Sequence, residues 1–269
     1  MLLSNPEDIA LEVHNLTVSY HRKPVLWDVD FSLPKGKLVG IVGPNGSGKT
    51  TTLKTIMGLL EQDSGYVKIF DKPLDEVRDR VSYVPQRESV DWNFPASARD
   101  VVEMGRYRKG KLFNRLTSGD KTLVMESLEK VGMLEYADRQ ISQLSGGQQQ
   151  RVFIARSLAQ NADLYIMDEP FIGVDASTEE AILTLLKEMK NQGKTVIIVH
   201  HDLQTAYDYF DWVVLLNTRL VACGPKEEVF TKPYLQEAYG GKLTVLSKLG
   251  DLMARQNFPA RESGFKEKE

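Results

Sequence analysis

The sequence predicts an α/β fold in which helices cover a mainly parallel β-sheet. An antiparallel β-subdomain precedes that sheet, and an α-helical segment is inserted into it. Three observations carry the prediction. Short apolar runs (KLVGIVG, DLYIMDEP, KTVIIVHHD) alternate with helix-length stretches, and parallel strands buried on both faces read as such runs. About the first 40 residues partly alternate at period two instead. Residues from about 87 to 160 carry helix-length segments without matching strands.

Taken in order, ALEVHNLTVSY and VLWDVDFSL read as strands, the second with Leu26, Val29, Phe31 and Leu33 as its apolar positions. LPKG is a turn, and KLVGIVG is a buried strand ending in glycine. KTTTLKTIMGLL follows as a helix closed by EQDSG, and GYVKIFDKPL returns to strand character. VSYVPQ is a short strand that Pro85 stops. The insertion holds the helices SARDVVEMGRYR and DKTLVMESLEKVG, with GKLFNRLTSG between them. After the strand DLYIMDEP comes the helix STEEAILTLLKEMKNQG. Ser177 and Glu180 read as its capping box, Ile182, Leu185, Leu186 and Met189 as its buried face, and Gly193 as its stop. KTVIIVHHD, the helix LQTAYDYF and the hairpin WVVLLNTRLVACG complete the pattern. The domain is expected over 9–240, its helical subdomain over about 87–160. Residues 241–269 read as an extension, a surface helix with a loose charged end.

The bulk numbers narrow the function. A chain of 269 residues suits one large domain with a sub-domain. A net charge of −3 argues against a nucleic-acid footprint, which is usually strongly basic. The single cysteine, Cys223, has no partner for an internal disulfide and reads as a small core residue in a reducing compartment. The N-terminus lacks the pattern of a signal peptide, and no apolar run approaches the about 20 residues that span a bilayer.

One motif carries chemistry outright. GPNGSGKT fits the phosphate-loop pattern at Gly43, Gly48, Lys49 and Thr50. Glycines let the backbone wrap closely and aim its N–H groups at phosphate oxygens. The helix that begins at Lys49 adds its positive end. Gly43, Pro44, Asn45, Gly46, Ser47, Gly48, Lys49, Thr50 and Thr51 are therefore the expected nucleotide-binding residues. Lys49 faces the β- and γ-phosphates, and the Thr50 hydroxyl coordinates Mg²⁺. LYIMDE supplies the expected carboxylates. Asp168 is the second magnesium ligand. Glu169, expected to point the other way along the strand, is the general base.

A second glycine pair, in LSGGQQQRV, has no generic explanation. Together with the phosphate loop, YVPQ, LYIMDEP and VHHD, in that order, it resembles the ATPase domain of the ABC (ATP-binding cassette) family. The resemblance runs from about residue 11 to about residue 240. It implies a phosphate-loop NTPase core of the RecA-like type, with ATP and Mg²⁺ as cofactors. It further implies that two such subunits pair head to tail as a homodimer, Ser145, Gly146, Gly147 and Gln148 of each closing over the ATP of the other. A helix start with bare N–H groups suits that anion. By the same resemblance Tyr20 stacks on adenine, and Gln86 senses Mg²⁺ and γ-phosphate. His201 contacts the γ-phosphate, while His200 packs or caps. Asp175 belongs to the loop that usually reads S-A-L-D, here FIGVDA, so its serine and alanine are missing.

Trp92 and Phe94, just after Gln86, are expected on an exposed segment that meets a membrane permease subunit. One cassette without a membrane span implies separate permease chains and, indirectly, a substrate-binding protein. It places the chain at the cytoplasmic face of the inner membrane. The wording of VPQRESVDWNFPASARDVVEMGRY is most similar to ATPase subunits of manganese, zinc and iron importers. Alternatives are an ABC ATPase for another cargo such as an iron chelate, an exporter or lipid-related ATPase, an ABC protein acting on nucleic acid, and a small-molecule kinase with a phosphate loop. The nucleic-acid class expects two cassettes or a long coiled coil. The kinase gives LSGGQ no purpose.

Overall fold

A computed structural model describes residues 8–21, 23–107 and 116–240. Three N-terminal strands form one antiparallel sheet: β1 (Ile9–Tyr20), β2 (Lys23–Pro34) and β4 (Ser64–Ile69), in the order β2-β1-β4. Alternation along β2 slips by one residue between Leu26 and Val29, because Asp28 adopts a left-handed backbone with φ of 51°. That bulge keeps both apolar stretches on the core face.

The second sheet has six strands, in the order β5-β6-β7-β3-β8-β9. They are β3 (Leu38–Val42), β5 (Val81–Val84), β6 (Leu164–Asp168), β7 (Thr195–Val199), β8 (Trp212–Asn217) and β9 (Arg219–Pro225). All neighbours are parallel except the hairpin β8–β9. Residues of β7 alternate between two cores. Ile197 and Val199 join the core under the N-terminal sheet, and Val196 and Ile198 join the core under the helices. Both faces are thus covered, which is why every residue of β3, β6 and β7 is buried.

Helix α1 (Lys49–Ile56) follows β3 and ends earlier than the sequence suggested. Gly58 turns left-handed, and the Leu59 amide donates back to the Lys54 carbonyl. A short helix α2 (Leu74–Val77) precedes β5. The inserted helices are α3 (Ala98–Glu103), α4 (Ser118–Lys130) and α5 (Gly146–Gln160). Each starts with a reciprocal capping box: Ser97 with Asp100, Thr117 with Asp120, and Ser145 with Gln148. Most of the segment GKLFNRLTSG lies outside the described residues.

The box expected at Ser177 and Glu180 does not form. Helix α6 (Ala176–Asn191) is capped by Asp175, whose carboxylate accepts from the Thr178 amide at 2.9 Å. That cap pulls Ser177 into the first turn, where its hydroxyl donates to Asp175. Gly193 follows the helix at φ of 81°, as expected. Helices α7 (Leu203–Tyr209), α8 (Lys226–Val229) and α9 (Lys232–Tyr239) complete the chain; the extension from 241 lies outside the described residues. Cys223 is largely buried, accepts from the Trp212 indole at 3.3 Å, and burial pushes its thiol up to about 11. It is an inert packing residue.

Gly40 in β3 leaves space for the Phe210 ring, and an added Cβ would stand 2.3 Å from the ring carbon Cδ2. Gly40→Ala is therefore expected to destabilise the fold by roughly 1–3 kcal/mol. Urea unfolding reads this as a lower midpoint at unchanged slope.

Candidate functional site

The parallel sheet brings the C-terminal ends of β5, β6, β7 and β3 to one edge, where open α/β sheets bind ligands. Gln86 follows β5, Glu169 follows β6, His200 and His201 follow β7, and the glycine-rich loop follows β3. A cleft of about 470 Å³ opens there. It is lined by Asn45 to Thr51, Gln86, Glu169 and His201, together with Val25 and Ile172.

The loop is clamped on both sides. A Cβ at Gly43 would fall 2.1 Å from the Leu216 carbonyl oxygen, so only glycine passes the end of β8. Gly48 takes φ of 97°, and a Cβ there would meet Leu26 Cδ2 at 2.4 Å. The Ser47 amide donates to the Pro44 carbonyl at 3.1 Å, and the Thr218 amide donates to the Ser47 carbonyl at 3.0 Å. Lys49 is 7% exposed, and its ammonium donates to the carbonyls of Gly43 at 2.8 Å and Pro44 at 3.0 Å. Burial holds that ammonium below the usual lysine range, with Glu169 and Asp168 opposing the shift. The Ser47 hydroxyl is buried without a partner among the described residues.

Asp168 is fully buried at the end of β6. The Thr50 hydroxyl donates to its Oδ1 at 3.2 Å, while Oδ2 has no partner among the described residues. Burial pushes this carboxyl up to about 6, and neighbouring Glu169 adds to the rise. Glu169 does not sit in the strand, contrary to expectation. The strand ends at Asp168 and the backbone turns left-handed at Glu169, with φ of 52°. This conformation costs a side-chain-bearing residue on the order of 1–2 kcal/mol. The turn sends the carboxylate into the cleft. There the Gln86 amide donates to its Oε2 at 3.0 Å, and His201 Nδ1 stands 4.0 Å from Oε1.

His200 packs, as expected. It is 4% exposed, its Nε2 meets the Thr205 hydroxyl at 2.6 Å, and its ring contacts Phe171, Tyr209 and Phe210.

Gly43, Pro44 and Asp168 adjoin the lining through Lys49 and Thr50, and three further groups of expected residues lie apart from it. Tyr20 ends β1 at the hairpin to β2 and is 43% exposed. Asp175 caps α6. Ser145, Gly146, Gly147 and Gln148 start α5 beside Arg87 and the backbone of Gly173 and Val174. Trp92 corrects another expectation. It is half-buried on Phe153, and its indole donates to the Arg87 carbonyl at 2.9 Å, whereas Phe94 is 52% exposed as anticipated.

Reading the sequence missed Val25 and Ile172 in the cleft wall. It also missed the contact of Arg87 with Gln149, 62 positions away. No local pattern announces those.

The sequence pattern of the ABC transporter family matches residues 26–172. That span is more than half of the chain and holds the loop, Gln86, the LSGGQ helix start and the paired carboxylates.

The chain belongs to the ABC transporter family.

It is 59% identical over 236 residues to the manganese transport system ATP-binding protein MntB of Bacillus subtilis, covering 88% of this chain and 94% of that protein. It is 55% identical to the zinc transport system ATP-binding protein TroB of Treponema pallidum, covering 87% of this chain and 88% of that protein. Solved structures agree. An ATP-binding cassette of an ABC transporter in its ADP conformation superposes with a TM-score of 0.73 at 25% identity, covering 87% and 99% of the two chains. A Clostridium perfringens subunit that is part of an ABC transporter complex gives 0.71 at 28% identity, covering 92% and 100%. The cassette thus binds ATP and hydrolyses it. The kinase alternative falls with this assignment. Among the described residues, no helix is long and apolar enough to cross a membrane.

His200 yields a pH prediction. Burial, helped by neighbouring His201, pushes the ring down to about 4 from 6.5. The unfolded chain therefore binds the proton more tightly than the folded one. The stability contribution is full above about pH 6.5 and is lost as pH falls towards 4. His200→Asn is expected to be less stable at pH 7, yet to lose less of its thermal midpoint between pH 7 and 5 than the parent. Parallel declines would exclude His200 as the source.

Proposed function

We propose that this cassette powers the import of a divalent transition metal, manganese or zinc before iron. It does so as one of two identical ATPase subunits docked on membrane permease chains. The high identity to manganese and zinc transport system proteins over nearly nine-tenths of the chain supports the cargo. The cargo class is carried by that similarity, since the ATPase chemistry needs no contact with the metal transported. An external substrate-binding protein would deliver the metal, and the cassette would sit at the cytoplasmic face of the membrane. The working unit would span 9–240, with 87–160 as its helical arm and 241–269 as an extension.

The homodimer rests on one observation: the LSGGQ helix start stands apart from the chain's own cleft. The capping box takes the Gln148 amide; the first-turn amides before it have no partner in the helix's own ladder and carry the positive end of the helix dipole. A partner's γ-phosphate supplies the matching anion. Each subunit then presents its loop to one nucleotide and its signature to the other, in a two-fold pair. Tyr20 would stack on adenine, and Asp175 would border the interface.

The residues fit a magnesium ion. Asp168 offers a buried carboxylate oxygen without a partner, the Thr50 hydroxyl lies beside it, and Mg²⁺ favours such hard oxygen donors. Thr50, Asp168 and Gln86 would hold the ion, which supplies charge neutralisation for the phosphates. Lys49 exchanges its two carbonyl partners for the β- and γ-phosphates. Glu169, oriented by Gln86, accepts a proton from the attacking water. His201, which stands 4.0 Å from the other oxygen of Glu169, contacts the γ-phosphate. Closure of the pair is a ligand-biased switch, and loss of the γ-phosphate reopens it.

Glu169→Gln is expected to keep ATP binding and to lose roughly 100-fold or more of the hydrolysis rate. Its solution mass should double with ATP from the monomer's 30.4 kDa. Retention of most of the turnover would falsify the assignment of the base. Lys49→Ala should weaken ATP binding by the isolated subunit itself, on the order of tenfold or more. Calorimetry of the subunit reads this, and unchanged affinity would remove Lys49 from the phosphate site. For the cargo, cells lacking this chain should lose uptake of radioactive manganese or zinc; normal uptake of both with loss of another solute would overturn the metal reading.

A further inference from the structure

We infer that Arg87 is a positioning residue whose guanidinium, held on Gly146 and Gln149, transmits the position of Gln86 to the start of the signature helix α5. The inference rests on the reading that this helix start closes over a partner's nucleotide.

Gln86 and Arg87 are adjacent in the chain but serve opposite sides. The Gln86 amide donates to Glu169 Oε2 at 3.0 Å, inside the cleft. The Arg87 guanidinium donates to the side-chain oxygen of Gln149 from Nη2 at 3.0 Å and from Nε at 3.3 Å. Gln149 is 4% exposed, and its own amide donates to the Ile141 carbonyl at 3.0 Å. Its oxygen is therefore a fixed acceptor.

The guanidinium also lies against the helix start. A Cβ at Gly146 would be 3.0 Å from Arg87 Cζ, so the absent side chain is what lets the planar ion approach. Further along, Trp92 fixes the same segment to α5. Its indole donates to the Arg87 carbonyl, and its ring centroid lies 4.9 Å from that of Phe153. The segment after Gln86 is thus tied to α5 at two heights, and a shift of Gln86 carries α5 with it.

Charge gives a second argument. A cation at a helix N-terminus opposes the helix dipole. Arg87 nevertheless sits there against a neutral amide rather than a carboxylate. The placement becomes favourable when an anion reaches the helix start, because cation and helix end then attract it together. Arg87 both aims the signature and adds to its positive field.

The test uses the full chain carrying Glu169→Gln, with solution mass followed against ATP concentration. Added Arg87→Ala should raise the ATP needed for half-maximal dimerisation on the order of tenfold. ATP affinity at protein concentrations too low for pairing should stay unchanged. Gln149→Ala should act in the same direction, and the double variant should be no worse than the worse single one. Unaltered dimerisation in Arg87→Ala would overturn the inference. So would strictly additive effects, or a matching loss of ATP affinity in the monomer, which marks a structural role only. A Glu169→Gln parent that stays monomeric with ATP removes the trans reading, and the inference with it. A dimerising parent whose Arg87→Ala derivative dimerises equally well removes the inference alone.

Discussion

The site depends on the parallel pairing of β6, β7 and β3. Asp168 pairs with Val199, Val199 with Ile41, and Ile41 with Val214, so one row of the sheet crosses four strands at the same height. In a parallel sheet every strand leaves by the same edge. The residues just beyond that row must therefore meet, although the chain separates the loop from Glu169 by about 120 positions. A slip of one residue in β6 would turn Asp168 to the opposite face. The continuous apolar sequence of these strands serves this chemistry indirectly. Two cores, one on each face, hold the row in place.

The edge concentrates groups that the fold alone would not favour. Asp168 keeps a carboxylate oxygen without a partner, Ser47 a buried hydroxyl, and Lys49 an ammonium held by its own loop. The carboxylate oxygen and the hydroxyl are costly to bury unpaired, whereas the ammonium has two carbonyl partners. Phosphate and a divalent ion would satisfy these groups. Gln86 holds the Glu169 carboxylate by a hydrogen bond, and His201 stands 4.0 Å from its other oxygen.

Much of this was legible in the residues. The glycine-rich loop, the acidic strand end and the helical insertion each follow from patterns that physical chemistry reads directly, because spacing along one element fixes their geometry. Two kinds of feature were not. Local competition moved the start of α6, since Asp175 caps the Thr178 amide and begins the helix two residues before Ser177 could cap that of Glu180; both are good caps, and the sequence does not rank them. Contacts across elements were silent as well. Arg87 and Gln149 meet only because β5 and α5 pack together, and Trp92 is drawn in by Phe153. The left-handed turn at Glu169 was hidden for a related reason, because a strand pattern continued by one residue looks the same whether or not the backbone reverses.

That turn sets a limit on how the protein can change. Glycine adopts such a backbone without strain, and any residue with a Cβ pays for it. The substitution that would best relax the chain at this point is thus the one that deletes the carboxylate. With Glu169 as the proposed base, selection for robustness and selection for turnover would pull in opposite directions on a single codon, and a cassette that drifted towards the first would become a sturdy protein that holds ATP without turning it over.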